Sequence, residues 1–438
     1  MDKILFHAGL SPLDQPSMAS VFYNSLFTTN SGNLLFQYGA YRALMTEGAR
    51  IEAMFFDNPK NQTAANAERV NGEFDCAVLP MANNFRASYR LNQVTRFIRR
   101  LKIPCVVMGV GLQARDASLI AEGFPFDGDV RDFVSAVLDR SAMLGLRGEM
   151  TADYLKKLGF IPERHFTVIG CPSMYSRGAN LPAPRPLSLS EDSPVSFGYR
   201  IDQPEAMAAL LNKSMEAFPN YHIVAQRREE IAMLRYGMPV VYTYDAANRC
   251  AALYPHDRSH PAIRSGRMVG FVSAHAWLRF MEGMALNMGS RIHGNIAAAL
   301  SGAPTLAFTL DTRMEELCRY HNIPFIPAER LGADTDPRGL YEGVDFSCVT
   351  KGHAGRFRHF VDFLDANGLD HIYKGGQSPE TAPMDRALAQ LPLWGTVAPQ
   401  AQLPLSVRLE GFAMRQYHAI RSRYHSLVKS RAKKGARS

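Results

Sequence analysis

Residues 288–323 read MGSRIHGNIAAALSGAPTLAFTLDTRMEELCRYHNI and constrain the fold more than any other part of the chain. An Arg and a His stand two residues apart, ahead of a small-residue helical segment over residues 295–300. Gly302 and Pro304 then turn the chain into an apolar run that ends at Asp311. A helix carried between strand-length apolar runs is the crossover of a parallel sheet. In open sheets of that kind, anionic ligands sit beyond the carboxyl ends of strands, where the first turn of the next helix leaves N–H groups unpaired. Arg291 and His293 share one side of an extended segment at such a turn, and Gly294 and Asn295 open the helix with side chains small enough for close approach of a ligand. Arg291 suits a phosphate or carboxylate through two parallel hydrogen bonds, and His293 moves a proton near neutral pH. The pair therefore reads as gripping and titrating an anionic substrate; the plainer alternative is that both residues are structural.

The same strand-turn-helix unit recurs upstream. A strand over residues 3–7 leads through Thr28-Thr29-Asn30-Ser31-Gly32-Asn33 into a helix beginning at residue 34 with Gly48 as its stop. Asn33, with Asn30 and Gly32, either meets a ligand or caps that helix. Strands follow at residues 51–56 and 74–80. Asn83 and Asn84, just beyond the second, either bond a sugar hydroxyl or serve the turn. A helix over 88–102 precedes a strand from residue 104 that runs into GVGLQA and Gln113. That spacing matches the dinucleotide fingerprint, but about 20 residues on, where a strand should end in an acid, the chain reads EGFPFDGDV, which argues against an NAD site. A helix over 129–138, a strand over 142–146 ending in Arg147-Gly148-Glu149, a helix over 151–158 and a strand over 167–170 complete the half.

Four prolines between residues 179 and 194 mark a linker, after which the pattern restarts: strand 195–199 ending at Arg200, helix 204–218, strand 221–225, Arg227, a helix, and a strand over 238–243. Arg147, Arg200 and Arg227 each end or follow a strand, where each meets either a substrate acid or a neighbouring carboxylate such as Glu149. Asp311 can orient His293, bind a hydroxyl or cap the next helix. The expected division is residues 1–180 and 195–330 as two Rossmann-like α/β domains facing a cleft, joined by a linker at 181–194. Residues 331–404 supply a loop, a helix and an extended crossing segment or flap, and residues 405–438 a basic amphipathic helix and tail.

A chain of 438 residues exceeds one ordinary core, and 46% hydrophobic with 21% charged residues is the balance of a soluble globular enzyme or binding protein. The longest apolar runs are strand length, and the first residues lack the apolar region of a secretory signal, so a cytoplasmic protein is expected. Six scattered cysteines without a CxxC pair read as free thiols. The net charge of +8 sits in the tail: residues 407–438 hold nine basic residues against Glu410 alone, leaving the rest formally neutral and giving no hint of nucleic-acid binding. No metal-ligand motif and no phosphate-binding GxxxxGK is present.

Asn30-Ser31-Gly32-Asn33, GVGLQ, GLRGEMTADYLKKLGF, GCPSMY and, above all, SRIHGNIAAALSGAPTLAFTLDTR occur in the order found in the polysaccharide pyruvyl transferase family, which the chain resembles over most of residues 25–325. The resemblance implies a fold like that of two-domain (GT-B-like) glycosyltransferases and transfer of a pyruvyl group from phosphoenolpyruvate, a co-substrate, to a saccharide of a surface polysaccharide or its precursor, with no further cofactor. It also implies that Arg291 binds the donor and His293 is catalytic. Many family members carry an acid near the turn that here reads Met81-Ala82-Asn83-Asn84, so a second acid/base group is missing from the expected place. A nucleotide-sugar glycosyltransferase of the same architecture is the alternative enzyme, and a saccharide-binding scaffold the alternative outside catalysis. The basic tail suggests either contact with the inner face of a membrane, and a lipid-linked rather than nucleotide-linked acceptor, or a docked helix with a free basic end.

Overall fold

The computed structural model describes residues 2–114, 118–200, 203–238, 240, 254–374, 382–399 and 402–416. In the first half, parallel strands β1 (Lys3–Phe6), β2 (Arg50–Ala53), β3 (Cys76–Pro80) and β4 (Cys105–Met108) lie in the order β2-β1-β3-β4. A parallel pair, β5 (Leu144–Leu146) and β6 (Phe166–Val168), continues this sheet. The Val110 to Leu146 bridge joins them, with Arg147 N–H donating to the Val110 carbonyl at 2.9 Å.

The second half is a seven-stranded sheet of β7 (Val195–Gly198), β8 (Tyr221–Ala225), β9 (Met268–Phe271), β10 (Leu286–Gly289), β11 (Thr305–Thr309), β12 (Phe325–Pro327) and the edge strand β13 (Thr396–Val397). Its order is β12-β11-β10-β7-β8-β9-β13, with β13 antiparallel and the others parallel. Counted from β7, the six parallel strands stand in the doubly wound order 3-2-1-4-5-6, so the chain reverses direction between β7 and β10. Both halves are Rossmann-like, and the architecture is the two-domain α/β arrangement of the GT-B type.

Strands β3, β4, β7, β10 and β11 are buried along their whole length, because helices cover both faces and no alternation of polar and apolar residues is needed. One continuous core runs from Phe6 and Phe36 through Phe197 to Ile296 and Leu317, and a second fills the outer side of the first sheet. Across the cleft, helix Gly32–Leu44 packs on helix Ile292–Leu300.

Three sequence expectations need correction. The helix expected from residue 34 is preceded by a short one, Met18–Tyr23, and itself stops at Leu44, ahead of Gly48, because Met45 to Gly48 form the turn that feeds β2. The helix after the Arg-x-His pair begins at Ile292, not residue 295, so Arg291 is its N-cap and His293 lies in its first turn. The segment expected to be extended or flap-like contains helix Pro383–Ala389, started by a proline whose missing N–H costs nothing there, together with β13. That helix delivers Asp385 to Arg42, which is only 2% exposed, in a pair 2.5 Å long. Most of the strand expected at 238–243 and the tail from residue 417 lie outside the described residues.

Candidate active site

At the reversal point the ends of β7 and β10 touch: a Cβ on Gly289 would lie 2.1 Å from the Gly198 carbonyl, so only glycine fits. Ser290 closes the junction, its N–H donating to Gly198 O at 2.8 Å and its hydroxyl to Gln203 Oε1 at 2.6 Å. Arg291 turns back along β7, where Nε donates to Tyr199 O at 2.8 Å and Nη2 lies 4.0 Å from Glu230 Oε1. Glu230 caps its own helix, Arg228–Tyr236, by accepting from Gln226 N at 3.1 Å and Arg227 N at 3.0 Å. Burial pushes its carboxyl above the usual range and Arg291 pulls it back. Arg291 thus braces the second half as well as standing at the site.

His293 projects from the first turn toward the other half. A Cβ on Gly32 would sit 2.6 Å from His293 Nδ1, and Phe36 meets the ring edge-on at 5.9 Å. The amino ends of the helices Gly32–Leu44 and Ile292–Leu300 both begin beside it, and their dipoles favour negative charge there. His293 Nε2 is buried and has no hydrogen-bond partner among the described residues. Burial and the neighbouring Arg147 charge lower its pKa to about 3, so the imidazole is neutral. The loop Thr28 to Asn33 is fastened to the second half by Ser31 N donating to Gln226 O at 2.8 Å and Arg228 N to Thr29 O at 3.1 Å. Ser31 Oγ and Gln226 Nε2 are themselves buried and partnerless among the described residues.

Arg147, 4% exposed, leaves β5 in the direction of Gly111, whose added Cβ would lie 3.0 Å from the guanidinium Nε. That Nε has no partner among the described residues. The carboxylate whose field reaches Arg147 most strongly is Glu316, from helix Thr312–His321, not Glu149 as adjacency suggests. Glu316 accepts from Thr151 N at 3.1 Å and Thr151 Oγ1 at 3.0 Å, while that hydroxyl accepts from Leu112 N at 3.0 Å. Burial pushes the Glu316 carboxyl up to about 7 against the pull of Arg147. The GVGLQ turn, the GLRGEMT turn and the second half are thereby locked around one buried cation.

A family model described as polysaccharide pyruvyl transferase matches residues 16–312, a span that contains His293, Arg147 and the loop that meets them. The chain belongs to the polysaccharide pyruvyl transferase family. As a member it is a transferase of polysaccharide biosynthesis, and a saccharide acceptor is implied. No curated protein matches it by sequence. Structural neighbours include a putative UDP-N-acetylglucosamine 2-epimerase from Listeria monocytogenes, with TM-score 0.46 and 11% identity over 83% of this chain and 96% of that one. The UDP-GlcNAc 2-epimerase from Neisseria meningitidis bound to UDP-GlcNAc gives TM-score 0.44 and 10% identity over 84% and 100%. Anabaena Alr3699/HepE in complex with UDP and glucose gives TM-score 0.41 and 13% identity over 84% and 98%.

The remaining residues named from sequence divide in this family member into those turned to the cleft rim and those spent internally. At the rim, Asp311 pairs with Arg200 at 2.9 Å and Arg313 at 2.5 Å. Burial opposes its charge, but Arg313 and Arg200 hold its carboxyl down to about 2. Asp311 also caps the helix Thr312–His321 through Met314 N at 3.3 Å, and Arg227 pairs with Glu229 at 3.3 Å. The amides of Asn83 and Gln113 meet at 2.6 Å beside Arg86 and Arg313. Asn84 is half-buried in the turn, its carbonyl accepting from Arg86 N at 3.0 Å.

Asn295 is not available to a ligand. It is fully buried, accepting from Asn287 Nδ2 at 3.1 Å and Thr305 Oγ1 at 2.9 Å and donating to Gly289 O at 3.1 Å, because the helix begins earlier than expected and turns it into the sheet. Gly294 faces Gln226, where a Cβ would come within 3.0 Å of the amide nitrogen. Asn33 donates to Thr28 Oγ1 at 2.6 Å and so serves its own loop.

Arg86, Gln226, Glu230, Arg313 and Glu316 were not singled out from sequence. Only Arg313, in the first turn after a strand, and Glu230, three residues beyond a strand-end Arg, carry a local signal. Asp57, from the loop after β2, reaches Tyr89, Arg86 and His7 with its field.

Proposed function

We propose that the protein transfers the pyruvyl carbon skeleton of phosphoenolpyruvate to two hydroxyls of a saccharide, forming a cyclic ketal and releasing phosphate. The observation that carries this reading is the nearness of His293 Nε2, between two helix amino ends, to Arg147 Nε, a neutral titratable nitrogen and a cation, both buried and both without partners among the described residues. Such a pocket suits a small ligand with several negative charges, and the Arg200, Asp311 and Arg313 rim lies beside it. In the reaction one hydroxyl proton ends on the methylene carbon, which becomes the methyl group, and the other leaves with phosphate, while both hydroxyl oxygens bond to the former enol carbon. His293, charged by the arriving anions, is the acid that delivers the first proton, and Arg147 and Arg291 hold the donor. Thermal-shift titration tests the reading: phosphoenolpyruvate raises the melting temperature and UDP-sugars do not. A rise with UDP-sugars alone would leave either glycosyl transfer or a pyruvyl transferase whose acceptor is that nucleotide sugar, which a donor-hydrolysis assay separates.

The enzyme further reads as working at the inner face of an anionic membrane on a lipid-linked acceptor. Residues 405–416 form a helix whose Gly411 and Met414 face the protein, where Glu410 pairs with Arg235 at 2.8 Å and Arg415 donates to the Tyr236 carbonyl. Leu405, Leu409 and Phe412 lie on the opposite face at 67%, 60% and 56% exposure. A helix that docks by ion pairs and points leucines outward, beside a strongly basic tail, matches an apolar interior under acidic headgroups. No helix among the described residues is long and apolar enough to cross a membrane. Replacing Leu405, Leu409 and Phe412 with serine should cut sedimentation with phosphatidylserine vesicles about tenfold or more and leave solution turnover unchanged; unchanged sedimentation would sink the idea.

A further inference from the structure

Arg86 lies outside the pocket around His293, in the loop after β3, with its guanidinium 5.8 Å above the Tyr89 ring. With the Asn83 amide oxygen turned toward the cleft, Asn83 accepts from Arg86 Nη1 at 2.7 Å and from Arg313 Nη1 at 2.8 Å. Two guanidiniums, one from each half of the protein, thus converge on a single neutral oxygen. Arg86 has no ion pair among the described residues, only the more distant field of Asp57, and Arg313 shares Asp311 with Arg200, so two cations are gathered on that carboxylate with a third close by. Arg86 Nε and Arg313 Nε are both buried without partners among the described residues. Two like charges at about 4 Å repel by about 1 kcal/mol in water and by more where water is excluded, which an inter-domain staple of neutral residues would avoid. Planar forks of this kind are matched by the two oxygens of a carboxylate or phosphate.

We infer that Arg86 and Arg313, bridged by Asn83, form a clamp for an oxyanion at the cleft rim. The idea rests on the pyruvyl-transfer reading only for the two sources it names: the donor's own carboxylate or phosphate, or an acidic group beside the reacting hydroxyls of the acceptor. The clamp is a binding device, and neither arginine need move a proton.

The test is calorimetric titration of the full chain with inorganic pyrophosphate and with phosphoenolpyruvate, in wild type, Arg86→Gln and Asn83→Asp. The glutamine variant removes one fork. The aspartate variant places a carboxylate between both forks, fills the clamp from within, and is expected to keep or raise the melting temperature. In each, pyrophosphate affinity should fall about tenfold or more, the loss of one charged hydrogen-bonding group. A parallel fall in phosphoenolpyruvate affinity assigns the clamp to the donor, and unchanged phosphoenolpyruvate affinity assigns it to the acceptor. Wild-type affinity for both ligands in both variants, or no pyrophosphate binding by wild type, would overturn the clamp. If wild type binds pyrophosphate through Arg86 but ignores phosphoenolpyruvate, the clamp stands and the pyruvyl-transfer reading falls.

Discussion

Replacing His293 with alanine should lower turnover about a thousandfold, within the range a positioned general acid contributes, while the protein stays folded. The ring lies between two halves but, among the described residues, bonds to neither through Nε2, so removing it leaves the supporting hydrogen bonds of Ser290 and Arg291 in place. With a pKa of about 3 in the free protein, His293 carries no proton to give at neutral pH. Phosphoenolpyruvate brings negative charge to a site where burial and Arg147 disfavour the imidazolium, so binding must raise the pKa and draw in a proton. Calorimetry at pH 6.5 in buffers of different ionisation enthalpy should therefore show proton uptake in wild type and none in His293→Ala. Stability carries the matching sign: the folded pKa lies below the unfolded 6.5, so the unfolded chain takes up the proton first. Wild type should lose more stability than the variant as pH falls from 6.5 toward 3, with no His293 contribution to pH dependence above 6.5. Turnover within about fivefold of wild type would remove His293 from the chemistry.

The alternation of short apolar runs with helices was legible because strands buried on both faces need no polar positions, as in Cys76–Pro80 and Thr305–Thr309, and such runs have few other homes. The Arg-x-His pair was legible by motif, but its geometry was not. Whether the helix began at residue 292 or 295 depended on Asn295 finding Asn287 and Thr305 in the sheet beneath it, contacts no local pattern announces. The same limit hid Glu316, which meets Thr151 across 165 residues of chain, and the approach of Arg86 to Arg313 through Asn83. Sequence adjacency misdirected Arg147 toward Glu149, because Glu149 begins a helix while the arginine turns the other way, onto Gly111.

That orientation makes Arg147→Met the variant in which binding and stability should part company. The guanidinium is buried, its Nε without a partner among the described residues, and burial lowers its pKa, so the folded protein holds a poorly compensated cation. Methionine of similar length removes the desolvation cost and should leave the melting temperature unchanged or higher. Glu316 loses a stabilising charge, yet its carboxyl already titrates near 7 and can take a proton at little cost. Donor affinity should fall by about a hundredfold, the scale of one lost charge-assisted bidentate contact in a dry site, and His293 should become easier to protonate once the opposing charge is gone. Lysine at this position keeps charge without the fork and should recover only part of the affinity. A structural arginine would behave the other way, losing melting temperature in the methionine variant while phosphoenolpyruvate bound within about twofold of wild type. Measuring both quantities on the same preparation decides whether the buried charge exists for the substrate or for the fold.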